Sequence, residues 1–285
     1  MAPYSYSSLN RDSSCRPMTC IKAALAVLIY TIATNLAAAA PTAMIAIDFE
    51  TNEVLLQNNA NVRLHPAGIT KLMTLYVAFQ TIESGEVSID DAVIISSNAA
   101  KVQGVELELR QDTSISLRYL IRAAGVSGAN DASLALAEGL DGSEELFAKR
   151  MNSASGSLGL TGSTWKNPHG LTEKGHMSTA NDLARLFIAH AKDFPEYFNL
   201  FSRRTTYAGL KEVANSSRRI LGSIKGVSGA KYGYTHAAGY SGAAYVERWP
   251  RPIVVVVLGA KSKGDLNQKI SDIVDAAFGK IQVNN

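Results

Sequence analysis

Past residue 20 this chain has no cysteine, since Cys15 and Cys20 are the two it contains. The remainder can form neither a disulfide nor a thiolate metal site. The five histidines fall at no metal-ligand spacing, and no cofactor is expected. Net charge is almost as scarce. The formal value is +3, and Arg11, Arg16 and Lys22 against Asp12 place +2 of it in the first forty residues. The rest of the chain carries no basic field of the kind that nucleic-acid binding requires. Internal repeats, linkers and low-complexity tracts beyond a run of alanines are also missing, so residues 41–285 read as one domain.

What is present begins with a leader. Arg11, Arg16 and Lys22 precede the apolar run Ala23–Ala33, and Ala38–Ala40 follow it. A basic stretch, an apolar core and a small-residue exit describe a secretory signal peptide over residues 1–40, with cleavage near Ala40. An uncleaved anchor helix is the other reading. Met18 is an alternative start, because the leader from there is already complete. The spacing of neither cysteine gives a lipid-anchor signal, and the chain ends on Gly279–Asn285 with no C-terminal membrane anchor expected.

The pattern after the leader predicts an α+β fold. Ala43–Asp48 and Val54–Gln57 flank a turn-like stretch and read as a hairpin. Pro66 to about Glu83 reads as a helix closed near Gly85. A short strand is expected within Ile89–Ser96. Helices are expected over Ser116–Ala124, Asp131–Glu138 and Ser143–Leu158, the last capped by Ser143. Asn167–Leu171 reads as a turn and Ser178–His190 as a helix. Polar, irregular chain is expected from there to about Leu221. Strands at Val227–Tyr234, Gly239–Glu247 and Ile253–Leu258 precede a closing helix over Lys263–Ile281, with Leu266, Ile270, Ile273 and Ala277 on one face. The sheet is thus expected to be assembled from both ends of the chain, with the helices between.

One charge interrupts the most apolar helix. Leu72, Leu75, Tyr76, Val77, Ala78 and Phe79 make that helix hydrophobic nearly all round, yet Lys71 stands at its start. A buried ammonium is costly unless it is paired or used. One turn earlier, on the same face, a serine would complete an activated-nucleophile arrangement. The residue there is Gly68.

Two further segments line up with it: Gly128-Ala129-Asn130 between two helices, and Lys231-Tyr232-Gly233 on a terminal strand. Their order and type resemble the Ser-x-x-Lys, Ser-x-Asn and Lys-Thr-Gly motifs of the penicillin-recognising serine acyltransferases. The flanking blocks Asn130-Asp131-Ala132-Ser133, Asn167-Pro168-His169-Gly170-Leu171, His176-Met177-Ser178-Thr179-Ala180 and Gly233 to Tyr240 narrow the resemblance. They look like the low-molecular-weight D-alanyl-D-alanine carboxypeptidases, peptidase family S11, over about Ala43 to Phe278. The resemblance implies a β-lactamase-like fold in the bacterial envelope or periplasm, and peptidoglycan stem peptides ending in D-Ala-D-Ala as ligands. It casts Lys71 as the base, Asn130 as the group that holds the substrate amide and steadies that base, and Lys231 as a binder of the substrate carboxylate. Gly233 would keep the strand bare beside the substrate.

Three departures fall on the hydroxyl-bearing positions of those motifs. Gly68 stands at the nucleophile, Gly128 at the proton relay and Tyr232 at the threonine that meets the carboxylate. Together they imply a family-like cleft that no longer acylates, binding stem peptides or a protein partner. Two alternatives remain: a carboxypeptidase active through a non-standard nucleophile, and a purely structural interaction protein. Thr70 and Thr74 point away from the position, and Ser127 is the one substitute for the relay. Tyr232, Tyr234 and Tyr240 read as a packed sheet face, and the Asn215-Ser216-Ser217 sequon is discounted.

Overall fold

The computed structural model describes Met1 and residues 41–283, so the leader expected over residues 1–40 lies outside the described residues. Five strands form the central sheet: β1 (Ala43–Asp48), β2 (Val54–Asn58), β7 (Val227–Thr235), β8 (Gly239–Val246) and β9 (Ile253–Ala260). Their order is β2-β1-β9-β8-β7 and every pairing is antiparallel. Both ends of the domain therefore meet in one sheet, as the sequence pattern predicts. β3 (Ala92–Ile94) pairs with β4 (Ser114–Ser116), and β5 (Thr205–Tyr207) with β6 (Glu212–Ala214), as two small ribbons.

The helices are α1 (Lys71–Glu83), α2 (Leu117–Arg122), α3 (Asn130–Asp141), α4 (Glu144–Ser157), α5 (Ala180–Asp193), α6 (Pro195–Phe198), α7 (Arg218–Ser223) and α8 (Lys263–Val283). They cover both faces of the sheet. Successive side chains of β9 point to opposite faces, and its unbroken Ile253–Leu258 run is what a strand buried on both sides requires. Val255 and Val257 pack with Leu266, Ile270 and Phe278 of α8. Val254, Val256 and Leu258 pack into the other core with Leu183 and Phe187 of α5. Among the described residues no helix is long and apolar enough to cross a membrane.

α1 runs through the middle of the helical part, and every residue from Lys71 to Phe79 is buried. Local signals set the ends of several helices. Ser143 accepts a hydrogen bond from Leu146 N and caps α4, while Gly85, with φ at +77°, follows the last turn of α1. One expectation needs correction. The stretch from Phe194 to Leu221 is ordered, and Phe194, Leu200, Phe201 and Ile220 within it are buried. Its elements run three to six residues, too short to display a helical or strand period. The aromatic side chains hold it down instead: Phe201 lies edge-on to Phe187 at 5.2 Å and to His190 at 5.2 Å.

Candidate functional site: the cleft between α1, α3 and β7

A 3-10 turn, Ala67–Thr70, leads directly into α1. Ala67 has φ at +50°, a conformation that costs a non-glycine residue roughly 1–3 kcal/mol and persists where surrounding structure enforces it. The turn brings Gly68 against the exposed edge of β7. A Cβ on Gly68 would lie 3.0 Å from the Tyr232 carbonyl oxygen and 3.1 Å from Gly233 Cα. A Cβ on Gly233 would sit 2.8 Å from Gly68 Cα, so only glycine permits this backbone approach.

Lys71 opens α1 one turn beyond Gly68. It is 2% exposed, and its Nζ donates to Asn130 Oδ1 at 2.7 Å and to the His169 carbonyl at 2.6 Å. Burial pushes its pKa down to about 7, with the charge of Asp131 acting in the opposite sense. The amine therefore stands near half-ionisation at neutral pH, where a general base is most effective. Asn130 begins α3 after a π-turn, Ala123–Ser127, that ends in left-handed Gly128. Its Nδ2 donates to the Gln103 carbonyl at 2.8 Å, which fixes the amide with its oxygen towards Lys71.

These residues line a cleft of about 360 Å³ together with Gly104, Ser127, His169, Ser216, Tyr232 and Lys263. Among the described residues no carboxylate lines it. Lys231 is the exception among the expected site residues. It is fully buried, and its Nζ donates to the carbonyls of Ala124 and Gly125, both at 2.7 Å. Burial, and then the neighbouring charge of Lys71, hold its pKa well below the usual lysine value. The alternation along β7 sends Lys231 inward beneath the π-turn, so it ties strand to turn and is not among the residues that line the cleft. Tyr232 projects the other way, packs against the α8-side core and forms one wall of the cleft.

The remaining hydroxyls are engaged elsewhere. Ser127 Oγ donates to the Ala123 carbonyl at 2.8 Å, and Thr74 Oγ1 to the Pro168 carbonyl at 2.6 Å. Lys166 N donates to His176 Nδ1, so the ring proton is on Nε2 and is donated to Thr70 Oγ1 at 2.8 Å. A hydroxyl restored at Gly128 would also meet strain, because φ there is +81°. Tyr234 and Tyr240 pack with ring centres 4.4 Å apart and planes tilted by 36°, and Tyr234 is 47% exposed, so the tyrosine row is a partly open surface.

Sequence reasoning missed three residues. Ser216, discounted within the sequon, borders the vacated relay position, its Oγ 3.5 Å from where a Gly128 Cβ would be. Lys263 reaches the cleft from α8, its Nζ 5.9 Å from the centre of the Tyr232 ring. Asp131 is buried and accepts hydrogen bonds from Leu107 N at 2.9 Å and Leu109 N at 3.1 Å, anchoring the loop that brings Gly104 and Val105 to the cleft. An acid beside the motif asparagine was the available signal. Asp131→Ala removes the acceptor of three buried N–H groups, those of Leu107, Leu109 and Ala132, and is expected to cost about 3 kcal/mol. Urea unfolding and loss of amide protection at Leu107 and Leu109 are the checks; a cost below about 1 kcal/mol would refute the anchoring role.

A family model described as D-alanyl-D-alanine carboxypeptidase matches residues 30–262. D-alanyl-D-alanine carboxypeptidase DacF of Bacillus subtilis is 32% identical over 247 residues, covering 84% of this chain and 62% of that protein. D-alanyl-D-alanine carboxypeptidase DacC of Escherichia coli is 32% identical over 226 residues, covering 77% and 56%. The chain thus spans about three-fifths of the length of these curated relatives. Among solved structures, penicillin binding protein 6B from Escherichia coli aligns with a TM-score of 0.77 at 28% identity, over 82% of this chain and 76% of that one. Penicillin-Binding Protein D2 from Listeria monocytogenes, in its ampicillin-bound form, aligns with a TM-score of 0.75 at 27% identity, over 83% and 96%.

Proposed function

The chain belongs to the D-alanyl-D-alanine carboxypeptidase family, and from that premise we propose that it is an exported, non-acylating member that holds D-Ala-D-Ala-ended stem peptides of peptidoglycan in its cleft. The observation that carries the proposal is Gly68. Lys71 keeps its burial, its lowered pKa and its contact with Asn130, while the position one turn before it offers no oxygen to deprotonate. Losing the catalytic serine of an unrelated serine protease costs about 10⁶ in turnover, and the Lys71 amine, hydrogen-bonded to Asn130 and the His169 carbonyl, has no hydroxyl at position 68 to deprotonate. What remains suits binding: a cleft of about 360 Å³ with no carboxylate among its described lining residues, and the Asn130 amide and the edge of β7 beside it. Export is part of the same proposal, resting on the leader pattern of residues 1–40.

Intact mass after incubation with a penicillin tests it. The mature wild-type protein is expected to gain no adduct, while an acetylated peptide ending in D-Ala-D-Ala binds reversibly by calorimetry. Gly68→Ser supplies the hydroxyl but places a Cβ 3.0 Å from the Tyr232 carbonyl, so β7 must give way by a few tenths of an ångström. With Gly128 and Tyr232 unchanged, that variant is expected to acylate at least about a thousandfold more slowly than an active relative. A prompt adduct on the wild type would overturn the reading and favour a second one, in which Lys71 activates an unrecognised nucleophile. Release of D-alanine from a pentapeptide, abolished by Lys71→Ala, would mark that case.

A further inference from the structure

The cleft does not end at Tyr232. A second groove of about 350 Å³ continues from it, and the two share Val105, Ser216, Tyr232 and Lys263 as walls. The continuation is lined by Arg218 and Arg219 of α7 and by Leu266 and Asn267 of α8. Like the cleft, it has no carboxylate among the described residues that line it. That is notable in a chain whose acidic and basic residues nearly balance, at 25 against 28. Some basic side chains elsewhere meet acids, as Arg118 does Asp90 and Arg248 does Asp275, while others among the described residues, such as Lys101, Arg110, Lys174 and Arg204, do not. What sets the groove apart is that three cations converge on one concave wall. Among the described residues, Arg218, Arg219 and Lys263 have no such partner, and all three are exposed.

The chemistry of the groove is one-sided. Two guanidinium groups and an ammonium supply donors and positive charge, and the Tyr232 and Ser216 hydroxyls add neutral polar groups. The Tyr232 phenol stays protonated at physiological pH, since burial raises its pKa to about 12. The ring also gives the groove an apolar wall, with Lys263 over its face. A cationic ligand would be repelled here, and an uncharged one would leave three cations uncompensated. A carboxylate-bearing chain would pair with the guanidinium forks.

We propose that the groove beyond Tyr232 is an acidic-peptide subsite: it receives a ligand segment carrying side-chain carboxylates, contiguous with the part held in the cleft, on Arg218, Arg219 and Lys263. This rests on the proposed function for the cleft portion alone. The groove's own preference stands on the convergence of Arg218, Arg219 and Lys263 on one concave surface whose described lining has no carboxylate. In a rim-exposed setting such charges govern selectivity and are screened by salt.

Matched peptides separate the two claims. With acetyl-Glu-Glu-D-Ala-D-Ala and acetyl-Gly-Gly-D-Ala-D-Ala as probes, the acidic peptide is expected to bind about tenfold more tightly in low salt. The gap should shrink to about threefold or less near 0.5 M salt. In the double variant Arg218→Glu and Arg219→Glu the preference is expected to reverse towards acetyl-Lys-Lys-D-Ala-D-Ala, while affinity for the neutral peptide stays within about twofold. Equal affinity of the wild type for acidic and neutral peptides, or an acidic preference that survives the charge reversal, overturns the subsite. The cleft reading fails separately. If acetyl-Glu-Glu-Gly-Gly-amide binds as tightly as the D-Ala-D-Ala peptide, and the charge reversal abolishes both, the subsite stands without it.

Discussion

Replacing Gly170 with alanine is expected to destabilise the protein by at least about 3 kcal/mol, the largest single-residue effect in the cleft region. Two causes act together. Gly170 has φ at +84°, which costs an L-residue about 1 kcal/mol by itself. A Cβ there would also overlap the carbonyl oxygen of Ala67 and lie 2.6 Å from its carbonyl carbon and 2.8 Å from Thr70 Oγ1. None of these neighbours is the end of a flexible side chain. Ala67 is itself held at φ +50° and is 1% exposed, so the 3-10 turn has no room to retreat. The turn carrying Gly170 cannot retreat freely either, because Asn167 Oδ1 accepts from Gly170 N at 2.8 Å and the next carbonyl back, His169, accepts from Lys71.

Gly175 provides the control. Its φ is also +84°, yet a Cβ there would meet only Lys166 Cε at 3.6 Å. Gly175→Ala should therefore show the backbone penalty alone, about 1 kcal/mol. The difference between the two variants in urea midpoint, at unchanged slope, isolates the overlap with Ala67. Equal costs for the two would mean that the turn does not brace Ala67. The strained turn would then need another source of support.

These packing constraints also mark what could be read from the residues and what could not. Long elements with a continuous pattern were legible. The apolar run from Leu72 to Phe79 required a central helix, and Ile253–Leu258 required a strand covered on both faces. The lone charge at Lys71 was legible as a buried group in need of partners, and Asn130 and the His169 carbonyl provide them. Lys231 was not legible in the same way. On a strand, one residue of register decides between core and surface, and the position of the π-turn decides that its carbonyls receive Nζ. Tyr232, one position along, faces the opposite side for the same reason. Gly68 illustrates a second limit. The missing hydroxyl was visible in the sequence, whereas the advance of β7 to within 3.0 Å of a would-be Cβ was not. It arises from backbone meeting backbone across segments more than 160 residues apart.

The two buried lysines should give the protein an unusual pH dependence. Lys71 has a folded pKa of about 7, whereas an unfolded lysine titrates near 10.4. Between those values the unfolded chain carries a proton that the folded one has released, so stability rises with pH across this window. The burial penalty is present in full below about pH 7 and is relieved as pH climbs to about 10. Lys231 acts in the same direction, since burial also lowers its pKa. His176 and His190, with pKa values lowered by burial to about 3 and about 4, carry the same kind of penalty only below about pH 6.5, outside this window. Tyr232, raised to about 12, opposes the trend only above pH 10. Between pH 7.5 and 9.5, Lys71 alone is expected to add about 2 kcal/mol of stability. Lys71→Met removes that slope, and it also removes the repulsion that helps depress Lys231, so the variant's profile should be markedly flatter. Its absolute stability carries a separate cost, because Asn130 Oδ1 and the His169 carbonyl lose their donor. The informative quantity is therefore the slope, read from guanidinium unfolding at several pH values. A wild type no more stable at pH 9.5 than at 7.5 would mean that Lys71 is charged in its cleft at neutral pH. A charged Lys71 could not serve as a base, and the amine would be a structural cation bridging α1, α3 and the Asn167–Leu171 turn.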